Sequence, residues 1–184
     1  MNKKTLVQRL CLTGMMGALV FVSTFFSIQI PLPGINTMIH LGNVFCILSA
    51  LLLGPIYGGL SAGIGSFFFD LLNPIYITSA PFTLVFKFIM AYLCGKIAYS
   101  KNKNGESLKY NILGASAGLI TYIVLHLIKT FINNIFLGVQ IQANLLLILQ
   151  SGLVSIINAI LAILISVPLS MSLNKVFKNK NIFN

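Results

Sequence analysis

The chain has 184 residues, is 57% hydrophobic and 8% charged, and has a mean hydropathy of +0.95. Soluble domains carry roughly 25% charged residues, and disordered chains combine low hydrophobicity with high charge, so both classes are excluded and a one-domain integral membrane protein is left. The formal net charge of +10 comes from twelve Lys and Arg against Asp70 and Glu106. It sits at the two ends and in one loop, where it reads as membrane topology and not as a nucleic-acid surface.

In chain order, Lys3, Lys4 and Arg9 precede an apolar run that is too long for a signal peptide and lacks a small-residue cleavage site, so a retained span is expected over about 10–28. Pro31, Pro33, Gly34 and Asn36 give residues 29–37 strong turn chemistry. As one helix, residues 39–72 would be about 50 Å long, against about 30 Å of hydrocarbon. The chain is therefore expected to fold back at Gly54, Pro55, Gly58 and Gly59, giving short spans over 39–53 and 57–72, either two crossings or a re-entrant hairpin. After a break at 73–79 come spans over 80–98, 110–136 and 145–166, the last two separated by the polar stretch 137–144.

The fold expected is thus an all-α bundle of six transmembrane helices. Lysine and arginine collect at the N-terminus, in the loop 99–109 and in the tail 174–184, whereas the connections around 29–38, 73–79 and 137–144 carry no charged residue. Both termini and the 99–109 loop are therefore expected to be cytoplasmic.

Several chemistries are missing. There is no phosphate loop, so the chain is not expected to hydrolyse ATP alone. His40, His126 and the two acids lie on different segments and offer no metal cluster, and no cofactor is implied. Cys11, Cys46 and Cys94 are widely spaced in apolar runs and read as small core residues. The G-x-S-x-G patterns at Gly59–Gly63 and Gly114–Gly118 fall inside helices, where small residues three and four apart serve close helix packing better than they serve a nucleophile. No enzyme is expected. A similar seam, Thr13, Gly14, Gly17 and Ala18, is either internal or a docking face.

Ionisable groups are costly inside a membrane and tend to face a bundle interior or a watery cavity. Lys87 lies seven residues inward from Ala80 and Lys129 seven inward from Phe136, each roughly 10 Å below the outer surface, with Asp70 near the same level. Two lysines against one acid leave one positive charge for an anionic ligand to complete. Tyr122, His126, Lys129 and Asn133 fall on one helical stripe, Thr83 sits one turn from Lys87, and Ser151, Ser155 and Asn158 form a polar line beginning beside Gln150. The uncharged connections add Asn36, His40, Asn43 and Tyr76. The candidate substrate-binding set is Asn36, His40, Asn43, Asp70, Tyr76, Thr83, Lys87, His126, Lys129, Asn133 and Gln150, suited to a small polar molecule. The competing reading is that the lysines snorkel to headgroups and the amides tie helices together.

The stretches His40-Leu-Gly-Asn-Val-Phe, Leu53-Gly-Pro-Ile-Tyr-Gly-Gly, Ala62-Gly-Ile-Gly-Ser, Asp70-Leu-Leu, Ala80-Pro-Phe-Thr and Phe86-Lys87 resemble the substrate-binding S components of energy-coupling factor (ECF) vitamin transporters. The resemblance implies a multi-pass subunit of the bacterial cell membrane that captures a water-soluble vitamin from outside and works with a transmembrane T subunit and two cytoplasmic ATPases. It also implies that Gly14 and Ala18, at the spacing of the family's small-residue motif, contact the T subunit, although Gly14 departs from the usual alanine. The resemblance does not name the ligand. The extra positive charge favours a pantothenate-like anion, with riboflavin, pyridoxine-like compounds and a thiamine precursor as further candidates. A stand-alone solute carrier and a structural membrane subunit are the alternatives.

Overall fold

The computed structural model describes the backbone of residues 3–32 and 35–179 and the side chains of residues 6–30 and 37–176. The elements are α1 (Lys3–Phe25), β1 (Ser27–Leu32), β2 (Ile35–His40), α2 (Gly42–Leu72), α3 (Ala80–Ala98), α4 (Leu108–Phe136) and α5 (Ile141–Asn179). Five helices are long and apolar enough to cross a membrane. Their outward faces expose large apolar side chains such as Met15, Leu19, Ile120, Leu149, Leu153 and Leu164, the surface expected of a protein whose solvent is lipid.

Five long helices stand where six were expected because the two short helices expected over 39–53 and 57–72 are joined through a break at Gly54 into α2. The fold-back itself is present. Gly54 has φ 79° and ψ −172°, a conformation nearly restricted to glycine, and Pro55 has no amide hydrogen to continue the ladder. Beyond the break the two halves of α2 lie antiparallel: Ser49 Oγ donates to Gly58 O at 3.1 Å, and Cys46 Sγ lies 3.7 Å from Ser66 Oγ. A Cβ on Gly58 would stand 2.5 Å from Ala50 Cα, so only glycine permits this approach. Breaking the helix orphans carbonyls at the end of its first half, and Tyr99 Oη donates to one of them, Leu52 O, at 2.8 Å.

The turn expected over 29–37 is instead an antiparallel hairpin, with Ser27 paired to His40 and Leu32 to Ile35. The hairpin is a small addition to a fold that is otherwise helical, as expected. The alternation of Ile28, Ile30, Thr37 and Ile39 carries a strand signal that the prolines and glycine obscured. Two span boundaries also shift: α1 ends at Phe25 rather than near 28, and α5 begins at Ile141 and runs to Asn179, far beyond 145–166.

The first half of α2 forms the centre, with Cys46, Ile47, Ala50 and Leu51 fully buried. α2 packs against α1, α3 and α5, and α3 against α4. Glycine seams make these contacts close. Cβ atoms on Gly114 and Gly118 would collide with Cys94 O and Met90 O of α3, and one on Gly65 with Gly17 O of α1. Both G-x-S-x-G patterns are therefore parts of packing seams.

The Gly54 turn, the 99–107 loop and the last turns of α5 gather at one end of the bundle. Gly95 abuts Pro55, Asn174 Nδ2 donates to Gly105 O at 3.0 Å, and the Arg9 guanidinium lies 5.7 Å from the Tyr57 ring. Lys96, Lys101, Lys103, Lys109 and Lys175 share this basic end. The β-hairpin and the 73–79 connection lie at the other.

Candidate functional site

A cavity of about 280 Å³ occupies the end opposite the basic loops. Every helix contributes to its wall, together with β2 and the connection after α2. The break at Gly54 makes this possible, because the second half of α2 returns to the same end and carries Ser66, Phe69 and Asp70 back to face α3 and α4.

The two lysines converge here. Lys87 is only 3% exposed; its Nζ donates to Asn43 Oδ1 and lies 3.9 Å from the centroid of the Tyr122 ring. A desolvated cation over an aromatic face contributes about 2 kcal/mol. Lys129 Nζ donates to Ser79 Oγ at 2.6 Å and lies 5.7 Å from the Phe82 ring. Thus the direct partners of both ammonium groups are neutral. Asp70, 7% exposed, is close enough to both lysines to interact with them electrostatically, and Thr83 hydrogen-bonds to it.

The histidines differ in setting. His126 stacks on Tyr122, with ring centroids 5.8 Å apart. His40, at the end of β2, has its Nδ1 accepting from the Gly42 amide at 3.1 Å. Burial and the nearby Lys87 push its pKa down to about 3, so the ring is neutral at physiological pH. Two lysines against one carboxylate give the cavity a formal charge of +1. Tyr76 turns its phenol inward, where burial and the neighbouring Asp70 hold it protonated; the phenol oxygen has no protein hydrogen-bond partner.

Of the expected binding residues, His40, Asn43, Asp70, Tyr76, Thr83, Lys87, His126, Lys129 and Asn133 line this one cavity. Gln150 does not: its Oε1 is buried without a partner elsewhere on α5. Ser151, the next residue on α5, is likewise buried away from the cavity, which α5 reaches only through Ser155 and Asn158. The side chain of Asn36 lies outside the described residues.

Sequence reasoning missed several lining residues. Ser66 lies one turn before Asp70, Phe82 and Phe86 flank the Thr83–Lys87 face, and Thr130 and Asn134 follow His126 and Thr130 at four-residue steps. Helical spacing from a recognised residue is enough to find them. Thr37 and Met38 required the hairpin. Ser155 and Asn158, on the polar line of α5, also reach the wall, whereas Ser151 is buried away from it.

A second, apolar groove of about 360 Å³ lies between α1 and the second half of α2, lined by Gly14, Gly17, Ala18, Phe21, Leu60, Ile64, Phe68 and Leu72. Gly17 meets Ser61 O and belongs to an internal seam, but a Cβ on Gly14 would touch nothing. Among the described residues, no group of His, Cys, Asp and Glu is placed to hold a metal ion.

The family model described as "ECF-type riboflavin transporter, S component" matches residues 4–175. The chain is similar in fold to a crystal structure of the S-component for biotin from an ECF-type ABC transporter, with a TM-score of 0.57, 22% identity, and coverage of 92% of this chain and 94% of that one. It is also 29% identical over 100 residues to an uncharacterised protein in a gap 3′ region of Pyrococcus woesei. That match takes in 54% of this chain and 66% of the relative, a little under two thirds of its length.

Proposed function

Since the chain belongs to the ECF-type riboflavin transporter S-component family, a family of transporter subunits and not of enzymes, we propose that it is the substrate-capture subunit of an ATP-driven vitamin importer, taking a small anionic vitamin of the pantothenate kind. One observation carries the choice of ligand: Lys87 and Lys129, each held by neutral partners, share a cavity with a single carboxylate. A ligand carboxylate completes the charge balance, and its hydroxyl or amide groups find partners in Asp70, Tyr76, Asn133 and Asn158. Hydrogen bonds to such charged groups contribute about 1.5–3 kcal/mol each.

The proposal includes six crossings with both termini in the cytoplasm of a bacterial plasma membrane. The basic end then faces inward, in line with the positive-inside rule, and the cavity faces outward. A T subunit docks on the groove at Gly14 and Ala18, and two ATPases supply the energy. What supports the docking site is its form: an apolar groove with an unfilled glycine position on a lipid-facing surface.

A flavin is the second reading. It is favoured by the Tyr122–His126 stack and by Phe82 and Phe86 in the wall, which suit a planar ring.

The test is to purify the chain in detergent, identify any co-purifying small molecule by mass spectrometry, and measure thermal stabilisation by pantothenate, riboflavin, biotin, pyridoxine and thiamine. Pantothenate stabilisation that is lost in Lys87→Met and Lys129→Met is expected. Stabilisation by riboflavin alone, unchanged in both variants, overturns the anion reading and leaves the S-component assignment standing.

A further inference from the structure

Among the described residues, one side chain of the helices hydrogen-bonds to the hairpin backbone. Asn158 of α5, 5% exposed, accepts from the His40 amide at 3.0 Å and donates to Met38 O at 2.9 Å. The carboxamide thus pairs with the strand edge as another strand would, using both its donor and its acceptor. This fixes the backbone on which the His40 ring is mounted. The ring is held from its other side by Gly42, whose amide donates to Nδ1. That amide is among the first of α2 and has no partner within the helix, so the imidazole satisfies it. Residue 42 must be glycine for the ring to sit so close: a Cβ there would overlap Thr24 Oγ1 and stand 2.7 Å from His40 Nδ1.

A neutral imidazole that accepts at Nδ1 carries its proton on Nε2. The helix N-terminus and Lys87 both oppose a second proton. We propose that Asn158 and Gly42 lock His40 as a neutral Nε2–H donor in the cavity wall, so that the ligand must present an acceptor lone pair, a carbonyl or carboxylate oxygen or a ring nitrogen, to the hairpin side. Asn158 is a positioning residue; His40 is the residue that selects. The choice of ligand class rests on the vitamin-capture reading, but the locked tautomer does not.

The experiment uses the full chain in detergent micelles with ¹⁵N-labelled histidine. His40 and His126 are the protein's two histidines, and a His126→Phe variant assigns them. The other titratable groups lining the cavity with His40 are Asp70, Tyr76, Lys87, Tyr122, His126 and Lys129. The expected spectrum shows His40 unprotonated at Nδ1 and protonated at Nε2, the same at pH 5 and pH 8. An imidazolium at pH 5, or a proton on Nδ1, overturns the lock. Asn158→Leu is expected to give mixed tautomers; a spectrum identical to wild type removes Asn158 from its role.

Selectivity is read with whichever of pantothenate, riboflavin and biotin stabilises the wild type most. His40→Gln, whose amide nitrogen can stand in for Nε2, is expected to keep affinity within about threefold, and His40→Phe to lose about tenfold or more. Equal affinity in His40→Phe overturns the selecting role. A wild type that binds none of these three, nor pyridoxine or thiamine, yet shows the locked tautomer supports the lock and overturns the vitamin reading.

Discussion

At the residue scale, the two lysines differ in what holds them, and this gives different expectations. Lys87 is buried against Asn43 and Tyr122, whereas Lys129 is half-buried and bonded to Ser79 near the rim. If the ligand is the proposed anion, replacing either by Met is expected to weaken its binding by about tenfold or more, measured by calorimetry. Truncating Lys87 also strands Asn43 Oδ1 in a buried site, so Lys87→Met is expected to lower the melting temperature and Lys129→Met to leave it nearly unchanged. His40 supplies a pH dependence. Its folded pKa of about 3 lies below the ordinary 6.5, so between these values the unfolded chain binds the proton that the folded chain refuses. The stability it contributes is complete above about pH 6.5 and is lost as pH falls toward 3. Thermal unfolding of wild type and His40→Gln at pH 7.5 and pH 4.5 checks this: the wild type is expected to lose more on acidification. The ionisable members of this site were legible in the sequence because charge inside an apolar block is conspicuous. Phe82 and Phe86 could be found only through their helical spacing from Thr83 and Lys87, and Met38 could not be found at all, because its facing depends on the hairpin.

At the element scale, glycines decide how closely the helices approach, and their surroundings sort them. Gly54 sits at φ 79° within the break of α2, so Gly54→Ala is expected to cost about 1–3 kcal/mol. Gly118→Val drives a side chain into the Met90 carbonyl and is expected to reduce folded yield sharply, read by size-exclusion of the detergent-solubilised chain. Gly14→Ala meets nothing and is expected to leave stability unchanged. If the groove receives the T subunit, Gly14→Leu is expected to preserve vitamin binding but abolish co-purification with that subunit; intact co-purification removes Gly14 from the docking surface. Element existence followed from the length of each apolar run measured against the bilayer, and the reversal at Gly54 from backbone chemistry. The hairpin was hidden because its prolines and glycine also spell an irregular turn, and only pairing with a second strand distinguishes the two.

At the scale of the whole molecule, the loop and terminal basic residues such as Arg9, Lys101 and Lys175 gather at one end and the cavity, with Lys87 and Lys129, lies at the other, which sets an expectation for sidedness. Single cysteines at Lys101 and Val139, placed in a chain without its native cysteines, are expected to react with an impermeant thiol reagent from opposite faces of oriented vesicles. Labelling of both from the same face refutes the proposed topology. Vesicles holding this chain alone are expected to bind the vitamin without sustained uptake, and to accumulate it once the T subunit and ATPases are added with ATP. Robust accumulation by the lone chain would favour the stand-alone carrier.

The sequence by itself determined the membrane class, the sidedness of charge, the fold-back of α2 and the family, because each rests on local quantities: run length, charge count, backbone chemistry and contiguous motifs. It also singled out nine of the ionisable and polar residues that line the cavity, among them His40, Lys87, Lys129 and Asn133, but not Ser66, Thr130 or Asn134. Only the tertiary structure decided that they face one another. It showed that α2 carries Asp70 back to meet Lys87 and Lys129, and that Gln150 points away from the cavity. The same is true of Asn158, which grips a strand 118 residues earlier in the chain. Facing is set by helix rotation and by pairing between distant segments, and those depend on how glycine seams mesh across several helices at once.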